Sequence, residues 1–265
     1  MNGTLFRKEL KLQWKLVAVF LAVLTLYGCM IISMFDPKLG ESLQAMAQSI
    51  PDLFAAFGMM NAGATLTEFI ANYLYGFLLV VFPMVLLLFL CSRLVSRPME
   101  RGSLAYLLSG PSRRVQIILT QAAVLLLAML AMTLYVTGLY AAVSAALFPG
   151  ELDIPRFLLL NTGLLGLYVF LSGVCFLAAC LWGGGKLALG VGAGVCIASL
   201  LVQMVSRVGE KFEFLQYATP LTLFDPAALI AGEAWAVWAF LALYGAGILC
   251  YGAGAAVFCR RDLCV

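Results

Sequence analysis

Residues 93–114, RLVSRPMERGSLAYLLSGPSRR, gather five arginines and one glutamate between two long apolar runs. The chemistry such a stretch offers is docking. Ser96 and Pro98 can open a helix there, and Glu100 falls in its first turn, near the positive end of the helix dipole. Leu104, Leu107 and Leu108 then line one face at helical spacing, and Ser109-Gly110-Pro111 ends the segment. A short helix of this kind, apolar on one side and flanked by Arg97, Arg101, Arg113 and Arg114, could insert into a groove on a soluble partner. A basic loop resting on inner-leaflet phospholipid would account for the same charges.

Other chemistry has little to work with. The apolar runs contain no Asp, Glu, Lys, Arg or His, and their strongest polar groups are Gln116, Gln121, Asn161 and Gln203. Proton-coupled carriers keep costly ionisable groups at membrane depth, and intramembrane enzymes need a nucleophile with its base or paired carboxylates. Neither set can be assembled here. Glu68 and Glu233 stand at the ends of runs, where solvation is the simpler role. Trp182-Gly183-Gly184-Gly185-Lys186 lacks the spacing of a nucleotide-binding loop and reads as a tight helix hairpin. With no histidine and with its eight cysteines confined to the runs and the C-terminal end, the chain offers neither a zinc site nor a disulfide framework. The expectation is a chain that is not an enzyme, holds no cofactor of its own and binds no nucleic acid.

The elements that must position the loop follow from composition. Hydrophobic residues make up 64% of 265 positions and charged ones 11%, a balance that no single water-soluble core could hide. Runs free of charge cover about 16–35, 69–92, 115–146, 157–182, 187–206 and 234–258, each near the roughly 20 residues that cross a bilayer. The sequence therefore predicts an all-α polytopic membrane protein, one six-helix domain over 1–265. Segments 1–15, 93–114, 183–186 and 259–265 carry 12 of the 16 basic residues, which places them and both termini in the cytoplasm. The first apolar run is too long for a cleavable signal and lacks a small-residue cleavage site.

Residues 4–15 read as an amphipathic helix lying on the membrane before the first span, with Arg7, Lys8, Lys11 and Lys15 toward anionic headgroups and Trp14 at the boundary. A topology signal alone would account for the same lysines. Segments 36–68 and 207–233 form the two sizeable outer parts, the second interrupted by Pro220 and Asp225-Pro226 into an elbow or re-entrant arrangement. Gly190 and Gly194 put small residues at i and i+4, suited to close helix packing within the chain or at a dimer seam.

The order of residues in the polar loop is more specific than its charge. Glu100-Arg101-Gly102-Ser103-Leu104-Ala105-Tyr106-Leu107-Leu108-Ser109-Gly110-Pro111-Ser112-Arg113 resembles the segment between the second and third spans of ABC-2 type permeases, with serine for the usual threonine at 103. The amphipathic start at 6–11, the outer Pro51-Asp52-Leu53-Phe54-Ala55-Ala56-Phe57-Gly58 and the ending at 258–263 are similar to that family as well. The resemblance implies two six-helix permeases, identical or homologous, side by side in a bacterial plasma membrane. Each would engage one of two cytosolic ATPase subunits, which bind the ATP and Mg, through a coupling helix at Glu100 to Ser109 that includes Arg101, Gly102, Ser103, Leu104, Leu107 and Leu108 and is stopped by Pro111. It implies export of a cargo such as an antibiotic, an antimicrobial peptide or a lipid-like molecule, and the apolar spans and aromatic outer segments favour an amphipathic one. A membrane assembly or sensor subunit that borrows the fold and transports nothing is the alternative.

Overall fold

Helices that are apolar on every side, rather than along one stripe, must be covered by lipid or by other helices. The computed structural model describes residues 3–35, 49, 65–100, 114–183, 185–207 and 219–260. Over these residues it is helical throughout, with no strand. In chain order the elements are α1 (Gly3–Ser33), α2 (Leu66–Met99), α3 (Arg114–Leu147), α4 (Ile154–Trp182), α5 (Gly185–Ser206), α6 (Pro226–Ala231) and α7 (Ala234–Arg260). Six helices among the described residues are long and apolar enough to cross a membrane.

The sequence separates an interfacial helix at 4–15 from the first span, and here the structure differs. α1 runs without a break for 31 residues. At 1.5 Å per residue that is about 46 Å, well beyond a hydrocarbon core of about 30 Å, so one helix can both cross and carry its basic turns outside.

Helix α4 is the hub of the bundle, packed against α2, α3, α5 and α7. Asp153 caps its first turn by accepting from the Arg156 N–H at 3.3 Å, and Pro155 occupies a first-turn position where no helical N–H is needed. Its other end closes on Gly183, at φ 73°, and α5 begins at Gly185, which makes the tight hairpin that the sequence suggests.

Two close pairings hold the bundle, both between parallel helices. Against α7, α4 presents Gly166 and Gly173, and α7 answers with Gly247 and Gly254. A Cβ on Gly173 would lie 2.8 Å from the Gly247 carbonyl oxygen, and one on Gly247 would lie 2.8 Å from the backbone of Val169. The two backbones meet without side chains between them, the kind of contact that helices in lipid use in place of a hydrophobic drive. Between α1 and α3, Gly28 lies under the ring of Tyr140, whose hydroxyl donates to the Leu24 carbonyl at 3.0 Å. Where α1, α2 and α3 end together, Phe35 stacks near Phe69 at 5.4 Å and edge-on to Phe148 at 5.3 Å between ring centres.

Candidate functional site

Helix α2 delivers the polar loop, and it is irregular along its length. Wide π turns occupy Ala71–Leu78 and Ser92–Ser96. Pro83 has no N–H for the Leu79 carbonyl and crowds it, and the Tyr168 hydroxyl from α4 donates to that carbonyl at 2.5 Å. One turn earlier the Tyr75 hydroxyl donates to Asn161 Oδ1 at 2.8 Å, while Asn161 Nδ2 donates to the Phe157 carbonyl at 2.8 Å. Of the polar span residues singled out in the sequence, Asn161 is thus a fixed bridge to α2. Gln203 donates to the Leu221 carbonyl at 3.3 Å, and Gln121 is buried in α3. Gln116 is exposed.

Beyond Cys91 the helix continues, with Leu94, Val95 and Ser96 buried and Arg93 and Arg97 exposed. The structure corrects the expectation that Ser96 and Pro98 open a new helix. The chain stays helical through both, the π turn Ser92–Ser96 running directly into the α segment Arg97–Glu100 that holds Pro98. Of the loop residues singled out above, Arg101, Gly102, Ser103, Leu104, Leu107, Leu108, Ser109 and Pro111 lie outside the described residues, and so does the side chain of Glu100.

On α1, Arg7, Lys8, Lys11, Trp14 and Lys15 are all exposed, Trp14 to 64%, while Leu5 and Gln13 turn inward. The basic face is therefore part of the spanning helix's own first turns. On α5, neither Gly190 nor Gly194 has a neighbour among the described residues within 4 Å of an added Cβ; Gly192 makes the internal contact, with the Cys175 backbone 3.5 Å from such a Cβ. The stripe of Gly190 and Gly194 faces away from the other described residues. Nearby, the sulfurs of Cys175 and Cys196 lie 3.6 Å apart, joining α4 to α5. Among the described residues no group of three His, Cys, Asp or Glu side chains is placed to hold a metal ion.

The sequence reading missed one feature. α5 has 22 residues against 29 in α4, so after the hairpin it stops about 10 Å short of where α4 begins. The elbow fills that step: a 3-10 turn at Pro220–Leu223, then α6, capped by Asp225, which accepts from the Ala227 N–H at 2.9 Å. Beneath it a narrow crevice of about 10 Å³, room for no more than a water molecule, is lined by Tyr75, Val80, Leu167, Gln203, Arg207, Leu221 and Phe224 among others. Burial pulls the Arg207 guanidinium below its ordinary value, and Asp225 opposes the shift. An arginine so placed keeps its charge at neutral pH. In the sequence the signal was present as Gln203 and Arg207 at i, i+4, but Arg207 reads there as one more outer-loop cation.

No protein-family model matches the chain, and no curated protein or solved structure is significantly similar to it. Fold and site together define a bundle with six helices fit to span a membrane, as expected of a multi-pass membrane protein.

Proposed function

We propose that this chain is the permease subunit of an ATP-driven exporter of the ABC-2 type, working in a bacterial plasma membrane with a separate cytosolic ATPase. The observation that carries the reading is the order Glu100-Arg101-Gly102-Ser103-Leu104 followed by Leu107-Leu108-Ser109-Gly110-Pro111, held between the second and third of six apolar helices. Spans without ionisable groups support it, because such a protein must take its energy from another chain. So does the course of α2, which continues as helix through Arg97 to Glu100. A push on the segment after Glu100 would travel along α2, and the π turns at Ser92–Ser96 and Ala71–Leu78 are points where helix register can shift.

The test is a pair of substitutions, Glu100→Ala and Gly102→Leu, in the chain co-expressed with its ATPase. Both variants are expected to insert normally and to lose ATPase pairing or cargo-dependent ATP turnover by about tenfold or more, as for a charge-assisted contact at an interface. Unchanged partner binding and turnover in both would reject the docking role.

A further inference from the structure

We propose that the first turns of α1 form a binding stripe for anionic phospholipid, with Lys11 and Lys15 holding head-group phosphates and Trp14 and Leu12 against lipid on the two sides. Arg7, Lys11 and Lys15 follow one another at i, i+4 and i+8, and Lys8 joins them within an arc of about 100° of the helix surface. All four are exposed. The opposite side is fixed, because Leu5 and Gln13 are buried there and Phe6, Leu16 and Val17 pack against the core, which holds the stripe facing outward.

The continuity of α1 sets the depth of each cation. From Leu16 to Ser33 the helix carries no charge and rises about 27 Å, close to the thickness of a hydrocarbon core. Lys15 then stands at the core boundary and Lys11 about 6 Å beyond it, inside a head-group layer of about 5–7 Å, while Lys8 and Arg7 reach its aqueous edge at about 10–12 Å. A helix lying flat would hold all four at one depth; this one arranges them as a ladder through the layer where lipid phosphates lie. Trp14, 64% exposed, and Leu12, 55% exposed, border the stripe near the same depth, as suits side chains that meet the lipid interface.

Charge supplies the sign of the partner. Like charges four residues apart repel on a helix, and among the described residues none of the four makes an ion pair. Glu9 lies beside Lys8 and is half-buried. The chain has little else to offer: the segments at this end of the bundle, 1–15, 93–114, 183–186 and 259–265, hold 12 basic residues against Glu9, Glu100 and Asp262. Most of these cations must be answered from outside the chain, and at the depth of Lys11 and Lys15 the abundant anion is the head group of an anionic lipid. This binding does not rest on the exporter reading.

The experiment uses the purified full chain in a neutral maltoside detergent and follows its thermal unfolding as phosphatidylglycerol is added. Phosphatidylglycerol is expected to raise Tm saturably, with phosphatidylcholine and inorganic phosphate at least about tenfold weaker. K11Q/K15Q should weaken the response to phosphatidylglycerol by about tenfold or more, R7Q/K8Q by about threefold or less, and R156Q, at the other end of the bundle, not at all. Should K11Q/K15Q not purify as a single species, K15Q alone takes its place and is expected to weaken the response by about fivefold. Equal responses to phosphatidylglycerol and phosphatidylcholine would overturn the proposal, as would K11Q/K15Q, or K15Q in its place, responding like the parent. Inorganic phosphate as effective as phosphatidylglycerol would make the stripe a site for a free anion, and a loss in R7Q/K8Q as large as in K11Q/K15Q would lay the first turns flat on the membrane; either result also overturns it. None of these outcomes touches ATPase pairing through Glu100, so the two proposals fail separately.

Discussion

The hydroxyl of Tyr168 on α4 donates at 2.5 Å to the carbonyl of Leu79, the group in α2 for which Pro83 has no N–H to offer. In an apolar surrounding an unmatched carbonyl is expensive, so the tyrosine lets a proline stand in the middle of a span. Tyr168→Phe is expected to lower stability by about 1–2 kcal/mol. Pro83→Ala restores the N–H, and in its presence the cost of Tyr168→Phe should shrink. Thermal unfolding of the two single variants and the double variant in detergent checks this; simple additivity would mean the two residues do not share the carbonyl.

Gly173 and Gly247 allow α4 and α7 to touch backbone to backbone, so Gly173→Leu should open the bundle. A cost of about 1–3 kcal/mol or failure to fold is expected, since the clash is with main chain and no side chain can move aside. Gly190→Ala and Gly194→Ala meet only open space among the described residues and are expected to leave unfolding of the isolated chain within about 0.5 kcal/mol of the parent. If they loosen a complex of two permeases instead, the loss will show in size-exclusion elution rather than in the melting of the single chain.

The 3.6 Å separation of the Cys175 and Cys196 sulfurs sets the register of α4 against α5. Diamide, a membrane-permeant thiol oxidant, should therefore convert this pair to a disulfide, with both thiol protons and electrons passing to the reagent. Peptide mass spectrometry of the oxidised chain is expected to recover the 175–196 link ahead of any link from Cys29 or Cys250, which are half-buried elsewhere in the bundle. A dominant link of any other kind would contradict the packing of α4 on α5.

Asp225 caps α6, so Asp225→Ala should cost about 1 kcal/mol as the loss of a helix cap, read by thermal unfolding in detergent. An unchanged melting temperature would mean that the cap does not hold α6 in place.

What the sequence could convey depended on the kind of pattern involved. The six spans were legible because runs without charge are the strongest signal a chain carries; the edges of the last four moved by three residues or fewer, as where the Asp153 cap lengthened α4, whereas α1 begins at Gly3 and α2 reaches Met99. The hairpin at Gly183 was legible from its glycines. Which glycines make contacts was not, because helices that are apolar all round give no stripe to say which face meets a neighbour. Gly190 and Gly194 drew attention by spacing, yet Gly173 and Gly247 make the close contact. The continuity of α1 and of α2 through Pro98 was missed for a related reason: charges mark where lipid ends but not where a helix does. Arg207 was hidden because its setting comes from the unequal lengths of α4 and α5 and from an elbow that only the fold brings over it.

The central claim, that this chain is the membrane half of an ATP-driven exporter, is tested most directly by purifying the tagged full chain from its native membranes in mild detergent and identifying what comes with it. The expected companion is an ATP-binding cassette protein in equal molar amount, released by Glu100→Ala. A chain that purifies without any ATPase, or with one whose amount is unaffected by changes at Glu100 and Gly102, would contradict it.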